Sequence, residues 1–173
     1  PLTGLYNRRK FDELATIECT RAKRYRRPIC AIMIDLDQFK QVNDTYGHIV
    51  GDQALSSVAS LCKDNLRNID ILGRFGGEEF VILLPETKIT EAKATAERLR
   101  IDCQENEFVT TGGTISLTIS LGIVEIDSSC KTLEDLIDRA DQALYASKRA
   151  GRNTVTIWSK ELSLTTPPGT HSS

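Results

Sequence analysis

The stretch Arg74-Phe75-Gly76-Gly77-Glu78-Glu79-Phe80 lies between two short apolar runs, Ile71-Leu72 and Val81-Ile82-Leu83-Leu84. Such runs are typical of β-strands, and a Gly-Gly pair between them predicts a tight hairpin turn, because glycine adopts positive φ without steric cost. Two glutamates follow the glycines directly. Adjacent carboxylates repel each other unless a cation or a reacting proton lies between them. The alternative interpretation is an ordinary solvated turn, and the rest of the chain weakens it.

A second acidic segment follows another apolar run. Residues 29–34 predict a strand buried on both faces, and Asp35-Leu36-Asp37 comes at its end. If this strand neighbours the hairpin, Asp35 and Glu78 converge. Hard oxygen ligands without histidine or cysteine select Mg²⁺, with Mn²⁺ also possible. Each acid taken alone could be a solvated strand end, but Asp35, Asp37, Glu78 and Glu79 together favour a cation site.

The remaining patterns alternate between helix and strand. We predict an α/β (α+β) domain whose mixed central sheet of about five strands is flanked by about five helices. Besides the hairpin and the strand at 29–34, the predicted elements are a helix capped by Asn7 and ending near Arg27, a helix at 38–46, a polar loop at 47–52, a helix from Asp52 to about Arg67, a helix capped by Thr90 and ending near Glu105, a strand at 114–126, a helix opened by the Thr132/Asp135 capping box and stopped by Gly151, and a strand at 153–158.

Composition limits the class of protein. The chain has 173 residues, 40% of them hydrophobic and 27% charged, with a net charge of −2, which is typical of one globular domain and unlike a nucleic-acid-wrapping protein. No apolar run approaches the roughly 20 residues needed to span a membrane, and we expect neither a membrane segment nor a signal peptide in this chain. The five cysteines are scattered without a CxxC pair. We therefore expect a reducing, cytoplasmic setting without a disulfide framework.

Three cations are placed to bind phosphate. Lys148 and Arg152 lie four residues apart at a predicted helix end, so they can share one side. Lys40 follows Asp35 closely, in the first turn of a predicted helix whose free N–H groups could also receive phosphate. The alternative is that these are surface cations, which would be preferred if the acids were absent.

Several motifs occur in one order and spacing, and together they cover about residues 1–158. They are Leu2-Thr3-Gly4-Leu5-Tyr6-Asn7-Arg8-Arg9, Ile34-Asp35-Leu36-Asp37-Gln38-Phe39-Lys40, Asn43-Asp44, Gly47-His48, Gly51-Asp52, the hairpin stretch, Ala143-Leu144-Tyr145-Ala146-Ser147-Lys148 and Gly151-Arg152-Asn153. This set resembles the GGDEF-domain diguanylate cyclases. The resemblance implies a palm-like nucleotidyl cyclase fold and a catalytic domain at 1–158, and we predict a disordered tail at 159–173.

The resemblance also implies an activity and a set of roles. The family condenses two GTP molecules into cyclic di-GMP and releases diphosphate, with one GTP on each protomer of a homodimer. Metal ligands would be Asp35, the carbonyl of Leu36, and Glu78, with Glu79 near a second metal. Glu78 would also be the general base. The substrate contacts implied are Lys40, Lys148 and Arg152 for phosphate, Asn43 and Asp52 for guanine, His48 at the same nucleotide site, and Gly76 and Gly77 where backbone approaches the nucleotide.

A second site is implied by Arg67-Asn68-Ile69-Asp70, which resembles the family's RxxD product-inhibition site. Arg98 falls where the family often adds another arginine. Two alternatives stay open. One is a silent receptor that binds cyclic di-GMP through Arg67 and Asp70, although such receptors usually lose the hairpin acids. The other is a cyclase for another purine, which retention of Asp52 argues against.

The chain begins abruptly at Pro1, so we expect an upstream sensory domain, and a full-length protein that could be membrane-anchored. The motif departs from the family name in one position, Glu78 in place of aspartate, which is a variant that the family uses.

Overall fold

A computed structural model of the protein describes residues 2–165. Within that range the elements are β1 (Tyr6–Asn7), α1 (Arg8–Tyr25), β2 (Ile29–Leu36), α2 (Phe39–Tyr46), α3 (His48–Asp64), β3 (Ile71–Gly76), β4 (Glu79–Pro85), α4 (Ile89–Glu105), β5 (Phe108–Thr110), β6 (Gly113–Ile115), β7 (Ile119–Glu125), α5 (Leu133–Arg149), β8 (Val155–Ile157) and one 3₁₀ turn (Leu162–Leu164). No helix in the described part of the chain is both long enough and apolar enough to cross a membrane.

The predicted mixed sheet with flanking helices is confirmed. Across residues 2–165 the main sheet has six strands in the order β1-β3-β4-β2-β7-β8, and β5 pairs with β6 in a separate hairpin. The β1–β3 and β7–β8 pairs are parallel, and the central pairs are antiparallel. The prediction of about five strands missed β1 and the β5–β6 hairpin. Both are two or three residues long, too short to show an alternating pattern.

The central strand β2 divides two hydrophobic cores. Its residues Cys30, Ile32 and Ile34 pack in the core with α3 and α4, and Ile29, Ala31 and Met33 pack in the core with α1 and α5. All eight residues of β2 are buried, as the unbroken apolar run predicts for a strand covered on both faces. Asp35 continues the second set, so its carboxylate belongs to the α1/α5 side of the sheet.

Helix α3 begins one turn earlier than predicted. Its first residue is His48, and residues 48–52, expected to be a polar loop, are helical. Val50 is buried with Ala54 and Val58, so it extends the apolar stripe of the helix backwards. Gly51, predicted to lie in the loop, belongs to the helix. A Cβ at this position would overlap the side chain of Asn43, so glycine permits close packing of α2 on α3.

Two other boundaries differ from the sequence pattern. The strand predicted at 114–126 is divided, because residues 113–115 pair with β5 whereas residues 119–125 pair with β2 and β8. Helix α4 has Lys88 as its N-cap rather than Thr90, and its first N–H groups are taken by Glu91 and Glu125. Glu91 is a local partner within the first turn, whereas Glu125 comes from β7 and leaves no local signal.

The predicted caps of α1 and α5 are present. Asn7 accepts a hydrogen bond from the Lys10 N–H at 2.9 Å, and Thr132 and Asp135 form the reciprocal capping box. The 3₁₀ turn falls inside the segment 159–173 that was predicted to be a disordered tail. Residues 166–173, like Pro1, lie outside the described residues, and for them disorder stays a prediction.

Candidate functional site

The hairpin turn joins β3 to β4 at the edge of a cavity. Gly76 is the last residue of β3 and pairs with Glu79, so the two turn residues are Gly77 and Glu78 rather than the two glycines. Gly76 has φ +157° and Gly77 has φ +45°, which favour glycine. The guanidinium of Arg74 donates to the Gly77 carbonyl at 3.0 and 2.6 Å. Apart from the glycine's own chain neighbours, no atom of the described residues lies within 4 Å of a Cβ built on either glycine, so the turn is open on that side.

Strand pairing brings the predicted metal ligands together. Asp35 on β2 lies opposite Glu79 on β4, and the N–H of Leu36 donates to the Glu78 carbonyl at 3.3 Å. The acids that follow two distant apolar runs therefore meet at the same end of the sheet. The sequence predicts that Asp35 and Glu78 converge only if the two strands are neighbours. The β2–β4 pair meets that condition.

Two acids of this cluster have raised pKa values. Burial raises the pKa of Asp35 to about 6, with Glu78 and Asp37 adding to the rise and Lys148 opposing it. Burial also raises the pKa of Glu79 to about 7, reinforced by Asp35 and Asp141. The Lys148 ammonium lies 3.0 Å from Asp35 and supplies positive charge. The raised pKa values show that the cluster favours a bound proton or a further cation.

Beside the turn lies a cavity of about 300 Å³, lined by the acids and by Arg8, Phe75 and Asp141 among others. The Arg8 guanidinium lies 4.8 Å from the centre of the Phe75 ring. Sequence reasoning did not place Arg8 or Asp141 at the site. Asp141 precedes Lys148 by two helical turns, a spacing that could have indicated it.

No group of three or more His, Cys, Asp or Glu residues in the described range is already arranged as a metal site. Instead, the Lys148 ammonium forms a salt bridge with the Asp35 carboxylate. Carboxylate and main-chain oxygens are nevertheless the donors that Mg²⁺ takes, and the raised pKa values of Asp35 and Glu79 are what a cation would relieve. The donor set therefore fits a magnesium ion by its chemistry.

The phosphate-binding candidates lie on three different segments. Lys148 is half-buried near the end of α5, Lys40 is exposed in the first turn of α2, and Arg152 is exposed after α5. Because α5 ends at Arg149, the helical i, i+4 relation between Lys148 and Arg152 assumed from the sequence does not hold. Arg152 instead has φ +66° in the connection to β8.

Helix α5 is held tightly against the sheet, which fixes Lys148. A Cβ on Gly122 of β7 would overlap the backbone of α5 at Ala140 and Leu144, so glycine permits the close approach. Ser147 donates to the Leu121 carbonyl at 2.7 Å. The residue that precedes Lys148 is therefore tied directly to the sheet.

The guanine-binding candidates lie at the corner between α2 and α3. Asn43 packs against Gly51, and His48 and Asp52 lie one turn apart on the exposed face of α3. Asn43 thus lies beside the residue that precedes Asp52, and an amide and a carboxylate at this corner could read donors and acceptors of a base edge. The earlier start of α3 is what brings His48 onto the same face as Asp52.

Asp37 does not join the acid cluster. One carboxylate oxygen accepts from the Ser120 hydroxyl at 2.6 Å, and the other accepts from the Thr118 hydroxyl at 2.7 Å and from the Asn153 N–H at 2.9 Å. The side chain is buried. The hypothesis that Asp37 belongs to the cation site is therefore wrong, because its oxygens are occupied within the protein.

The structure brings the three residues of the predicted second site to the end of α3. Arg67 donates to the buried carboxylate of Asp70 at 2.9 Å, to the Thr87 hydroxyl at 2.7 Å and to the Pro85 carbonyl at 3.1 Å. Arg98 on α4 donates to the side chain and backbone of Asn65. The side chain of Arg67 is 54% exposed and that of Asp70 is 3% exposed. Arg67 is therefore held in place with part of its guanidinium open to solvent.

Comparison with known proteins finds close relatives. Diguanylate cyclase A of Treponema denticola is 40% identical over 147 residues, which are 85% of this chain and 39% of that protein. The response regulator PleD of Caulobacter vibrioides is 39% identical over 156 residues, which are 89% of this chain and 34% of that protein. The chain thus spans between a third and two fifths of the length of these relatives.

A solved structure matches the whole fold. The GGDEF domain of DgcB from Caulobacter crescentus, crystallised in complex with c-di-GMP, superposes with a TM-score of 0.86 at 35% identity, covering 91% of this chain and 90% of that one. The family model described as "Diguanylate cyclase, GGDEF domain" matches residues 1–154. By sequence and by fold, this chain belongs to the GGDEF-domain family of diguanylate cyclases.

Proposed function

We propose that this chain is an active diguanylate cyclase, which condenses two GTP molecules into cyclic di-GMP and releases two diphosphates. The observation that carries the proposal is the convergence of Asp35, Glu78 and Glu79 at one end of the sheet beside Lys148. A chain that only bound the product would have no need to keep like-charged, partly buried acids together. The family membership and the relatives named above support the same activity.

Substrate binding divides between two regions of the proposed site. At the α2–α3 corner, Asp52 accepts from the N1 and N2 donors of guanine, Asn43 adds a second hydrogen bond, and His48 lies on the same face. Lys40, Lys148 and Arg152 hold the triphosphate. Adenine lacks this pair of donors at its base edge, so Asp52 would be left without partners, and GTP is the preferred purine nucleotide.

Magnesium fits the acid cluster, and Mn²⁺ could replace it. Asp35, the carbonyl of Leu36, and Glu78 would hold the ion, with Glu79 near a second position. When bound, the ion neutralises charge on the phosphoryl oxygens and lowers the pKa of the attacking hydroxyl. Glu78 accepts the proton of the 3′-hydroxyl. The 3′-oxygen then forms its bond to the α-phosphorus of the other GTP, and the bond between that phosphorus and the diphosphate oxygen breaks.

A homodimer is required by this chemistry. Each protomer holds one GTP, and two such sites must face each other for each 3′-hydroxyl to reach the opposite α-phosphate. The open side of the Gly76–Gly77 turn leaves room for that approach. A two-fold symmetric product also fits a two-fold symmetric pair of sites.

Product inhibition is proposed at Arg67, Asp70 and Arg98. The exposed part of the Arg67 guanidinium can take a phosphate oxygen or the Hoogsteen edge of guanine. We also propose that a further domain controls how two copies meet, since the chain spans only 34–39% of the length of the two relatives named above.

One experiment tests the activity. The protein is incubated with GTP and Mg²⁺, and cyclic di-GMP is sought by mass spectrometry, with Glu78→Gln as the matched variant. We expect product from the wild type and none from the variant. Binding of cyclic di-GMP without turnover, by protein shown to be dimeric, would replace this proposal with the silent receptor. Equal conversion of ATP would contradict the guanine assignment.

A further inference from the structure

The connection between α5 and β8 is held by an unusual number of polar contacts around Asn153. Its N–H donates to Asp37 at 2.9 Å, its side-chain NH₂ donates to Gln104 at 3.0 Å, and its side-chain carbonyl accepts from Arg100 at 3.2 Å. Asp37 comes from the end of β2, whereas Gln104 and Arg100 come from α4. One residue therefore ties the connection to two separate elements of the fold.

The backbone that these contacts hold is in an uncommon conformation. Arg152 has φ +66° and Asn153 has φ +46°, so two consecutive residues with side chains lie in the left-handed region. Asparagine tolerates this region, but for arginine it is unfavourable. The Arg152 N–H also donates to the Ser147 carbonyl at 3.1 Å. The strain persists because its neighbours fix it from both sides.

The same backbone conformation sets the position of the Arg152 Cα, from which the cationic side chain extends. Arg152 is exposed, and the residue after it is joined to Asp37, two positions beyond Asp35 on the strand that ends at the acid cluster. A freely moving loop would spread the guanidinium over many positions. Fixing the backbone removes the part of that freedom that comes from the loop before a ligand arrives, and pre-ordering of this kind raises affinity.

We propose that Asp37 and Asn153 form a clamp that pre-positions Arg152 for the triphosphate of the nucleotide. Both are positioning residues, since they act through Arg152. The inference rests on the proposed function, because it takes Arg152 as a phosphate-binding residue. The clamp gives Asp37, which lies outside the acid cluster, a role in nucleotide binding. It also gives a reason for an arginine with positive φ at position 152.

The test measures binding of 3′-deoxy-GTP with Mg²⁺ by calorimetry, because this nucleotide lacks the attacking hydroxyl and is not turned over. Guanosine, titrated by NMR, reports the base site without phosphates. The variants are Arg152→Ala, Asn153→Gly and Asp37→Ala. Glycine at 153 keeps the positive φ and the N–H bond but loses the contacts to α4. Asp37→Asn is the conservative rescue, since its amide oxygen can face Asn153 and Thr118 while its NH₂ faces Ser120.

Ser120→Ala is the matched control. It removes one hydrogen bond of Asp37, on the oxygen that does not contact Asn153. A general weakening of the Asp37 surroundings would affect this variant too, whereas loss of the clamp would not. Thermal unfolding of each variant shows whether it is folded at the binding temperature. Asn153→Gly carries the test if Asp37→Ala is not folded.

We expect Arg152→Ala to weaken 3′-deoxy-GTP binding at least about 10-fold, the loss of a charge-assisted hydrogen bond. Asn153→Gly and Asp37→Ala should weaken it about 5- to 10-fold, as the competent fraction of the loop falls to about a tenth or a fifth. Asp37→Asn and Ser120→Ala should stay within about 2-fold of the wild type, and guanosine binding should be unchanged in all variants.

The outcomes separate two failures. If Arg152→Ala weakens binding but Asn153→Gly and Asp37→Ala do not, the clamp is wrong and the proposed function stands. If the clamp variants weaken guanosine and 3′-deoxy-GTP equally, their effect is general and the clamp is overturned. If Arg152→Ala binds 3′-deoxy-GTP like the wild type, the phosphate role of Arg152 in the proposed function is wrong, and the clamp falls with it.

Discussion

Two aspartates stand two residues apart at the end of β2, in opposite surroundings. Asp37 accepts hydrogen bonds from Thr118, Ser120 and the Asn153 N–H, which ties three segments together. Asp35 faces Glu79 across the strand pair and is bridged by Lys148, and its pKa is raised to about 6 by burial. One buried carboxylate is stabilised by neutral donors, and the other lies among further acids.

The difference separates an acid that the fold holds by hydrogen bonds from an acid of the proposed metal site. A buried carboxylate whose two oxygens both accept hydrogen bonds from the protein contributes to stability and is screened from ligands. A buried carboxylate beside like charges is costly, and such costs are typical of functional sites. From sequence the two aspartates look alike, since both follow the same apolar run.

The largest effect is expected at the acid cluster. Glu78→Gln keeps the size of the side chain but removes the proposed base and proposed metal ligand. We expect a loss of turnover of about 10²- to 10⁴-fold, the range for removing a general base, with little change in unfolding free energy. Initial rates of cyclic di-GMP formation and urea unfolding measure the two quantities. Normal turnover by this variant would remove Glu78 from the mechanism.

At the structural acid the effect should fall on stability. Asp37→Ala leaves two hydroxyls and one N–H without their acceptor, and we expect a loss of about 2–4 kcal/mol of unfolding free energy. Asp37→Asn, which can keep most of these bonds, should lose about 1 kcal/mol or less. Urea unfolding followed by circular dichroism measures both. If Asp37→Ala were as stable as the wild type, the contrast between the two aspartates would not hold.

The Arg67–Asp70 pair has one residue of each kind. Asp70 is buried and held by the fold, whereas Arg67 is half exposed and can contact a ligand. Arg67→Ala should raise the concentration of cyclic di-GMP needed for half-inhibition at least about 10-fold, as expected for one charge-assisted contact. The initial rate without product should change little. Inhibition curves measured at fixed GTP give the result, and Lys93→Ala, at an exposed position of α4, is the comparison variant. An unchanged curve would contradict the product site.

The smallest expected effect is a pH dependence of stability. The pKa values of Asp35 and Glu79 are raised from 3.8 to about 6 and from 4.5 to about 7, so the folded protein binds these protons more tightly than the unfolded chain. Their contribution to stability is present at low pH and is lost as pH rises through 6 to 7. Without divalent metal, the melting temperature should therefore fall between about pH 4.5 and 7 and change little above pH 7.

Two changes should reduce that fall. Glu79→Gln removes one titrating group, and added Mg²⁺ compensates the ionised acids. Glu107→Gln, at an exposed position, should leave the pH profile as it is in the wild type. Thermal unfolding across the pH range, with and without Mg²⁺, tests all three. A profile that Glu79→Gln does not flatten would show that the cluster does not titrate as described.

Much of the fold follows from local patterns. The unbroken apolar run of β2, the hairpin after it and the caps of α1 and α5 were all predicted, because strand periodicity and capping are local properties. The start of α3, the N-terminus of α4 and the break between β6 and β7 were not. Each depends on a distant partner, such as Asn43 against Gly51 or Glu125 against Ile89.

The sequence by itself determined the family, the order of elements and the residue types that the chemistry needs, since these are carried by motifs of fixed spacing. The tertiary structure decided which acids share a site. Strand pairing set Asp35 against Glu79, while the crossing of β7 and the α5–β8 connection over the end of β2 enclosed Asp37. Pairing between distant segments and the desolvation it causes are long-range effects, and no local pattern encodes them.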